Sequence, residues 1–332
     1  MKIDRKFARA GMAVAAAAAL TGMTSLSASA EEWRGWNIHV PDYPVSIAME
    51  SFAKEVAEKT NGRIEPKAYH GGVLGSQPDA IEQVRAGAIQ WAEFNLGPMG
   101  PFVPETNVVN LPFIFKSVDH MHRVMDGPIG DEISAAMAKE GLVALAWYDS
   151  GSRSFYNSKK PINTPDDVKG LKVRVMNNEL FVGMIEALGG NATPMAFSEV
   201  FQSLKTGVVD GAENNWPSYE STNHFQVAGY YSASDHLILP ECLCMNTGVW
   251  EGLSDADKKI VKDAARASAT LQRKLWAERE LASRKKVEAA GVKFNEIADK
   301  SAFQKAMAPV YDKALEKNPA LKSLIDKIKA QP

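Results

Sequence analysis

Residues 254–290 hold an unbroken helical pattern, and no other stretch of the 332-residue chain narrows the possible folds as much. Ser254 suits an N-cap, and Asp255 and Asp257 put negative charge in the first turn, where the helix dipole favours it. Ile260, Val261, Ala264, Leu271, Leu275 and Leu281 recur at helical spacing, and Gly291 stops the run. A helix of about 35 residues is roughly 50 Å long at 1.5 Å per residue, more than a small domain is wide. The chain is long enough for two domains, and such a helix is expected to span both.

Strands and helices alternate around it. Residues 36–40 read as a strand and 46–59 as a helix, with Ile47, Phe52, Val56 and Ala57 on one stripe. Residues 64–70 are a second strand, 78–87 a helix and 89–95 a third strand. This β-α-β-α-β order points to a doubly wound α/β sheet. Residues 170–215 form a second βαβ-like unit. In it Leu171, Val173 and Val175 face one way and Lys172 and Arg174 the other. A helix over 198–206 and the short apolar run Val208-Val209 complete the unit. Arg174 then lies near the carboxyl end of one strand, with Asn214 and Asn215 beyond the next. Open α/β sheets bind ligands at that edge.

Between these units, residues 142–147 read as a strand, Asp149-Ser150-Gly151 as a turn, and 152–156 as a short strand carrying Arg153. The first crossing between domains is placed here. The return is placed in the apolar run 236–249, which Pro240 interrupts and which contains Glu241. The expected division is residues 31–150 with 240–279 for one domain and 151–239 with 280–332 for the other.

Residues 1–30 stand apart. Lys2, Arg5, Lys6 and Arg9 precede an alanine-rich apolar run, and Ala28-Ser29-Ala30 offers a small-x-small cleavage site, so a secretory signal peptide is expected. Its removal takes four positive charges and one negative charge, which moves the net charge from −2 to −5. A mildly acidic exported protein is a poor candidate for nucleic acid or anionic membrane surfaces. Cys242 and Cys244, two apart in an apolar run, read as small buried side chains, somewhat too far apart in a strand for an unstrained disulfide.

Catalytic signatures are missing: there is no G-x-S-x-G, H-E-x-x-H, G-x-G-x-x-G or P-loop. His120 and His122 read as a surface pair on a helix, and Asp210 and Glu213 as solvated or capping acids. Nothing calls for a cofactor or a metal. The two arginines Arg153 and Arg174, each just after a crossing or at a strand end, could clamp a carboxylate. The amides Asn177, Asn214 and Asn215 could pair with hydroxyls, since each carries a donor and an acceptor. Phe197 and Trp216 could wall the site, Trp216 being the more ordinary core residue. His39, Gln77 and Asn95 are polar residues recurring where first-domain strands end.

At these residues the chain resembles the substrate-binding proteins of tripartite ATP-independent periplasmic (TRAP) transporters, of the dicarboxylate and sialic-acid binding type. The runs that carry the resemblance are FAKEVAEKTNGRI, GGVLGSQPDAIEQVRAGAI, DDVKGLKVRV, GGNATPMAFSEVFQSLKTGVVDGAEN and LSDADKKIVKDAA. The resemblance implies two α/β domains joined by hinge strands, a ligand enclosed by a Venus-flytrap closure, and no enzymatic activity. It puts the carboxylate-binding arginine of GLKxR on Arg174 and a second arginine on Arg153. The other ligand-binding positions fall on Asn177, Phe197 and Asn214, with His39, Gln77 and Asn95 varying with substrate. Asn215 and Glu241 complete the expected set. The implied function is periplasmic capture of a small hydroxylated organic acid, a sugar acid such as a uronate or aldonate, by a monomer. Delivery would be to the small and large membrane subunits of the transporter. A C4-dicarboxylate or sulfonate ligand, a secreted enzyme acting on such acids, and a sensor serving a receptor kinase are the alternatives.

Overall fold

A computed structural model describes residues 31–332; the expected signal peptide, residues 1–30, lies outside them. In chain order, β1 (Glu31–Trp36), α1 (Pro44–Lys59), β2 (Ile64–Tyr69), α2 (Gln77–Arg85) and β3 (Trp91–Asn95) form the first winding. Helices α3 (Val118–Met125) and α4 (Pro128–Lys139) lead into the long strand β4 (Leu142–Asn157). The second winding is β5 (Lys172–Val175), α5 (Glu179–Ala187), β6 (Asn191–Pro194), α6 (Val200–Thr206), β7 (Gly211–Asn214) and α7 (Trp216–Ser221). A second long strand, β8 (Tyr230–Asn246), is followed by α8 (Thr247–Gly252) and the 35-residue α9 (Asp255–Ala289). The chain closes with β9 (Lys293–Glu296), α10 (Ser301–Ala306), α11 (Ala308–Lys317) and α12 (Leu321–Ala330).

The strands pair in the order β2-β1-β3-β8-β4-β7-β5-β6, with β9 on β8. The two windings are parallel within themselves, and the antiparallel pair β4 and β8 joins them. Apolar cores lie on either side of that pair. One side gathers Trp33, Phe52, Trp91 and Trp276, and with them Phe94, Val108 and Met137. The other gathers Phe155, Val173, Phe181 and Ile185, with Tyr156, Tyr219 and Tyr231. Helix α9 enters both: Val261 and Trp276 pack in the first lobe and Val287 in the second, as its length anticipates. Helix α12 returns to the first lobe, where Leu321, Leu324, Ile325 and Ile328 are buried with Met121 and Val124.

Several local expectations change. The first strand is residues 31–36, not 36–40. The Asn37 side chain accepts from the His39 amide (2.9 Å) and donates to Ser46 (2.6 Å), which turns the backbone out of the ladder. The expected turn at Asp149-Ser150-Gly151 is a bulged part of the continuous strand β4, whose register against β8 shifts between Asp149 and Ser152. Gly151 makes this possible. Its φ is +62°, and a Cβ there would lie 2.6 Å from the Trp276 indole nitrogen. The 170–215 unit has three strands: Asn191–Pro194 is a strand paired with β5, and the last strand is Gly211–Asn214 rather than Val208-Val209. His120 is buried rather than exposed, bonding the Lys116 amide (3.1 Å) and the Ile328 carbonyl (3.2 Å). Cys242 and Cys244 form a disulfide, because the strand brings their Cα atoms to 5.5 Å, inside the usual range. Both remain fully buried.

Candidate functional site

Between the lobes lies a cavity with about 590 Å³ of space unfilled by atoms, part of it open to solvent. His39, Gln77, Asn95, Arg153, Arg174, Asn177, Phe197, Asn214 and Glu241 all line it. Asn215 is placed otherwise. Its Oδ1 accepts from the Ser218 amide at 2.8 Å and caps α7, while its Nδ2 donates to the Ser150 carbonyl at 2.8 Å. Trp216 stacks on Tyr231 with centroids 3.6 Å apart, as a core residue.

The arginines differ. Arg153, on β4, gives Nε and one Nη to the two oxygens of Glu213, at 2.7 and 2.8 Å. It also reaches the Glu213 carbonyl at 2.7 Å and Asn214 Oδ1 at 2.6 Å. Burial pushes the Glu213 carboxyl up, but Arg153 and then His236 outweigh it and hold the group down at about 2. Glu213, expected to be solvated, is therefore a fully buried ion-pair partner. Arg174, on β5, gives Nε and one Nη to the Met195 carbonyl, at 3.2 and 2.9 Å, and its guanidinium carbon lies 6.0 Å from the Phe197 ring centre. It has no carboxylate partner among the described residues. Burial draws its guanidinium down to about 10. A cation left so in an apolar setting is a site for an anion.

Across the cavity the first lobe offers neutral polar groups and acids. His39 stacks on Tyr43 (3.9 Å between centroids), and burial lowers its imidazole to about 3, so it faces the cavity neutral. Gln77 enters at the start of α2, anchored by a 2.6 Å bond to the Asn95 carbonyl. Asn95 donates to Ser150 Oγ (3.3 Å) and to Glu241 (3.2 Å). The lobes also touch directly. Tyr43 and Ser218 hydroxyls are 2.9 Å apart, and Asn178 donates to the Gly97 carbonyl and to Asn107, both at 2.8 Å. Of the pocket residues that the sequence reading passed over, Met195 lies within the run GGNATPMAFSEVFQSLKTGVVDGAEN, whereas Ser150, Ser218 and Met176 lie in none of the runs that carry the resemblance. Ser150 lies on the crossing strand three residues before Arg153, which was its one signal.

Among the described residues nothing at the cavity resembles a catalytic constellation: the buried acid beside an arginine is fully engaged, and no cavity hydroxyl is paired with a basic histidine. It is a receptacle with a cation on one lobe and hydrogen-bonding groups on the other. Residues 37–318 match the family model described as bacterial extracellular solute-binding protein, family 7. A TRAP periplasmic solute-binding protein from Roseobacter denitrificans, solved with bound β-D-glucuronate, is 64% identical. It superimposes with a TM-score of 0.90 over 91% of this chain and 100% of that one. One from a Sulfitobacter species, with bound β-D-galacturonate, is 63% identical with a TM-score of 0.88, covering 89% of this chain and 98% of that one. A solute-binding protein from Chromohalobacter salexigens is 59% identical over 317 residues, 94% of each chain. The chain belongs to this family: it is a periplasmic TRAP-type solute-binding protein, not an enzyme. The resemblance drawn from its motifs is borne out, as is the two-domain α/β fold.

Proposed function

We propose that the protein encloses a sugar acid, a hexuronate foremost, and delivers it to the small and large membrane subunits of a TRAP transporter. The observation that carries this is Arg174, a buried cavity guanidinium that no carboxylate neutralises among the described residues. A ligand carboxylate supplies the missing charge, and Phe197 closes over the guanidinium. Asn177 and Asn214 reach ligand hydroxyls from the same lobe, and His39, Gln77, Asn95 and Glu241 from the facing one. A ligand that bonds both lobes favours closure over opening, because only the closed form offers both sets of contacts. The bound glucuronate and galacturonate of the relatives support a uronate. Arg153 contributes through Asn214 and by holding Glu213, and Asn215 by shaping the start of α7 rather than by touching ligand.

The cores support a division of residues 31–150 with 240–279 against 151–239 with 280–332, with the difference that α12 packs with the first lobe. The protein works as a monomer. Calorimetric titration with D-glucuronate, D-galacturonate, D-gluconate, succinate and a small sulfonate tests the reading. Uronates are expected to bind tightest. Tighter binding of succinate or of the sulfonate would overturn it.

A further inference from the structure

Beneath the cavity the first lobe buries two carboxyls that no cation pairs with among the described residues, Glu93 on β3 and Glu241 on β8. The antiparallel register sets Asn95 opposite Glu241 and Glu93 opposite Leu243. Glu93 and Asn95 are two apart, so both point to the same face as Glu241. On that face the two carboxyls are diagonal cross-strand neighbours. Glu93 Oε1 and Glu241 Oε2 are each buried without any N–H or O–H donor from the rest of the described protein. Two ionised carboxylates side by side repel each other and leave these oxygens orphaned, whereas a proton between them answers both.

We propose that Glu93 and Glu241 share one proton at the floor of the cavity, and that this acid pair makes the protein take monoacids while refusing ligands with a second carboxylate at that end. The inference rests on the reading of Arg174 as the carboxylate receptor. Glu241 lines the cavity, so whatever lies opposite Arg174 meets it. Neutral hydroxyls suit such a pair in either charge state, donating to an ionised oxygen or accepting from a protonated one. A second carboxylate meets like charge, with no cation free among the described residues to offset it. The groups facing the pair are Asn95 from β3, Tyr148, Asp149, Ser150 and Arg153 from β4, and Tyr43 just before α1. Of these Asp149 adds negative charge, and Arg153 is held by Glu213. Burial pushes the Glu241 carboxyl up to about 7 and raises Glu93 well above the usual carboxylate range. The refusal therefore strengthens as pH rises through neutrality, as the pair loses protons.

The test is calorimetry on the mature protein with D-glucuronate and with D-glucarate, a diacid ionised at both ends across this range, at about pH 5.5 and about pH 8. The wild type is expected to bind glucarate at least about 30-fold more weakly than glucuronate near pH 8. That gap should shrink at least about fivefold near pH 5.5, with glucuronate affinity changing little. Glu93→Gln, which leaves one ionisable carboxyl where the wild type has two, should narrow the gap near pH 8 and flatten its pH dependence. The wild-type pH dependence keeps the test decisive even if that variant folds poorly. Glucarate binding as tight as glucuronate near pH 8, or a gap unaffected by pH in the wild type, would overturn the proposal. A wild type that binds neither acid would overturn the Arg174 reading and this inference with it.

Discussion

Arg153 and Arg174 are equally buried and line the same cavity, yet one guanidinium is matched by a carboxylate and the other is not. Removing them should do different things. Arg153→Ala leaves the buried Glu213 with only His236 beside it, 3.7 Å away, which costs about 3–5 kcal/mol and lowers Tm by on the order of 10 °C. An unchanged Tm in differential scanning calorimetry would contradict that account. The pair also predicts an acid limb. Glu213 titrates at about 2 when folded against 4.5 ordinarily, so its stabilisation is complete above about 4.5 and is lost as pH falls toward about 2. Urea midpoints between neutrality and pH 3 should fall more steeply in the wild type than in Arg153→Met/Glu213→Leu. Among the cavity-lining side chains, Gln77, Asn95, Arg174, Asn177, Phe197 and Asn214 were legible because each sits near a strand end or in a family motif. Glu213 and Glu93 were not. An acid in a sequence looks the same whether solvated or buried, and the partner of Glu213 lies 60 residues away.

At the scale of elements, the continuous strands β4 and β8 make the crossings expected at the turn Asp149-Ser150-Gly151 and in the apolar run 236–249. The alternation in 142–147 and 152–156 was visible, but the bulge joining them was not. It depends on Gly151 adopting a positive φ against Trp276 of α9, a contact between segments far apart in the chain. Gly151→Ala should therefore cost about 1–3 kcal/mol from strain and overpacking, read as a reduced denaturation midpoint with unchanged slope. A neutral effect would mean that the bulge relaxes freely. The Cys242–Cys244 disulfide escaped for a related reason: ideal strand spacing separates alternate residues further than the 5.5 Å found on β8. Unreduced protein unfolded in guanidinium should yield no free thiol in a thiol titration; two thiols per chain would refute the bridge. Helix α9 was the easiest element to read, since its caps and its periodicity are both local.

The whole molecule is two windings joined by two long antiparallel strands and braced by α9. Gln272 bonds both backbone groups of Asp149 (2.9 and 2.7 Å), and Arg279 joins Glu220 of α7 (2.7 Å) to Asp42 before α1 (3.5 Å). The lobes already touch through Tyr43, Ser218 and Asn178. Ligand adds to that contact, so it should stabilise the fold by about 2.7 kcal/mol at 100 times its Kd. The central claim is that one cation, Arg174, receives the ligand's carboxylate. Calorimetric titration of D-glucuronate into wild type and Arg174→Ala tests it most directly, with each variant's Tm measured alongside. The account predicts at least about a 100-fold loss of affinity with Tm of the free protein nearly unchanged. Affinity within a few-fold of wild type in a folded Arg174→Ala protein would contradict it.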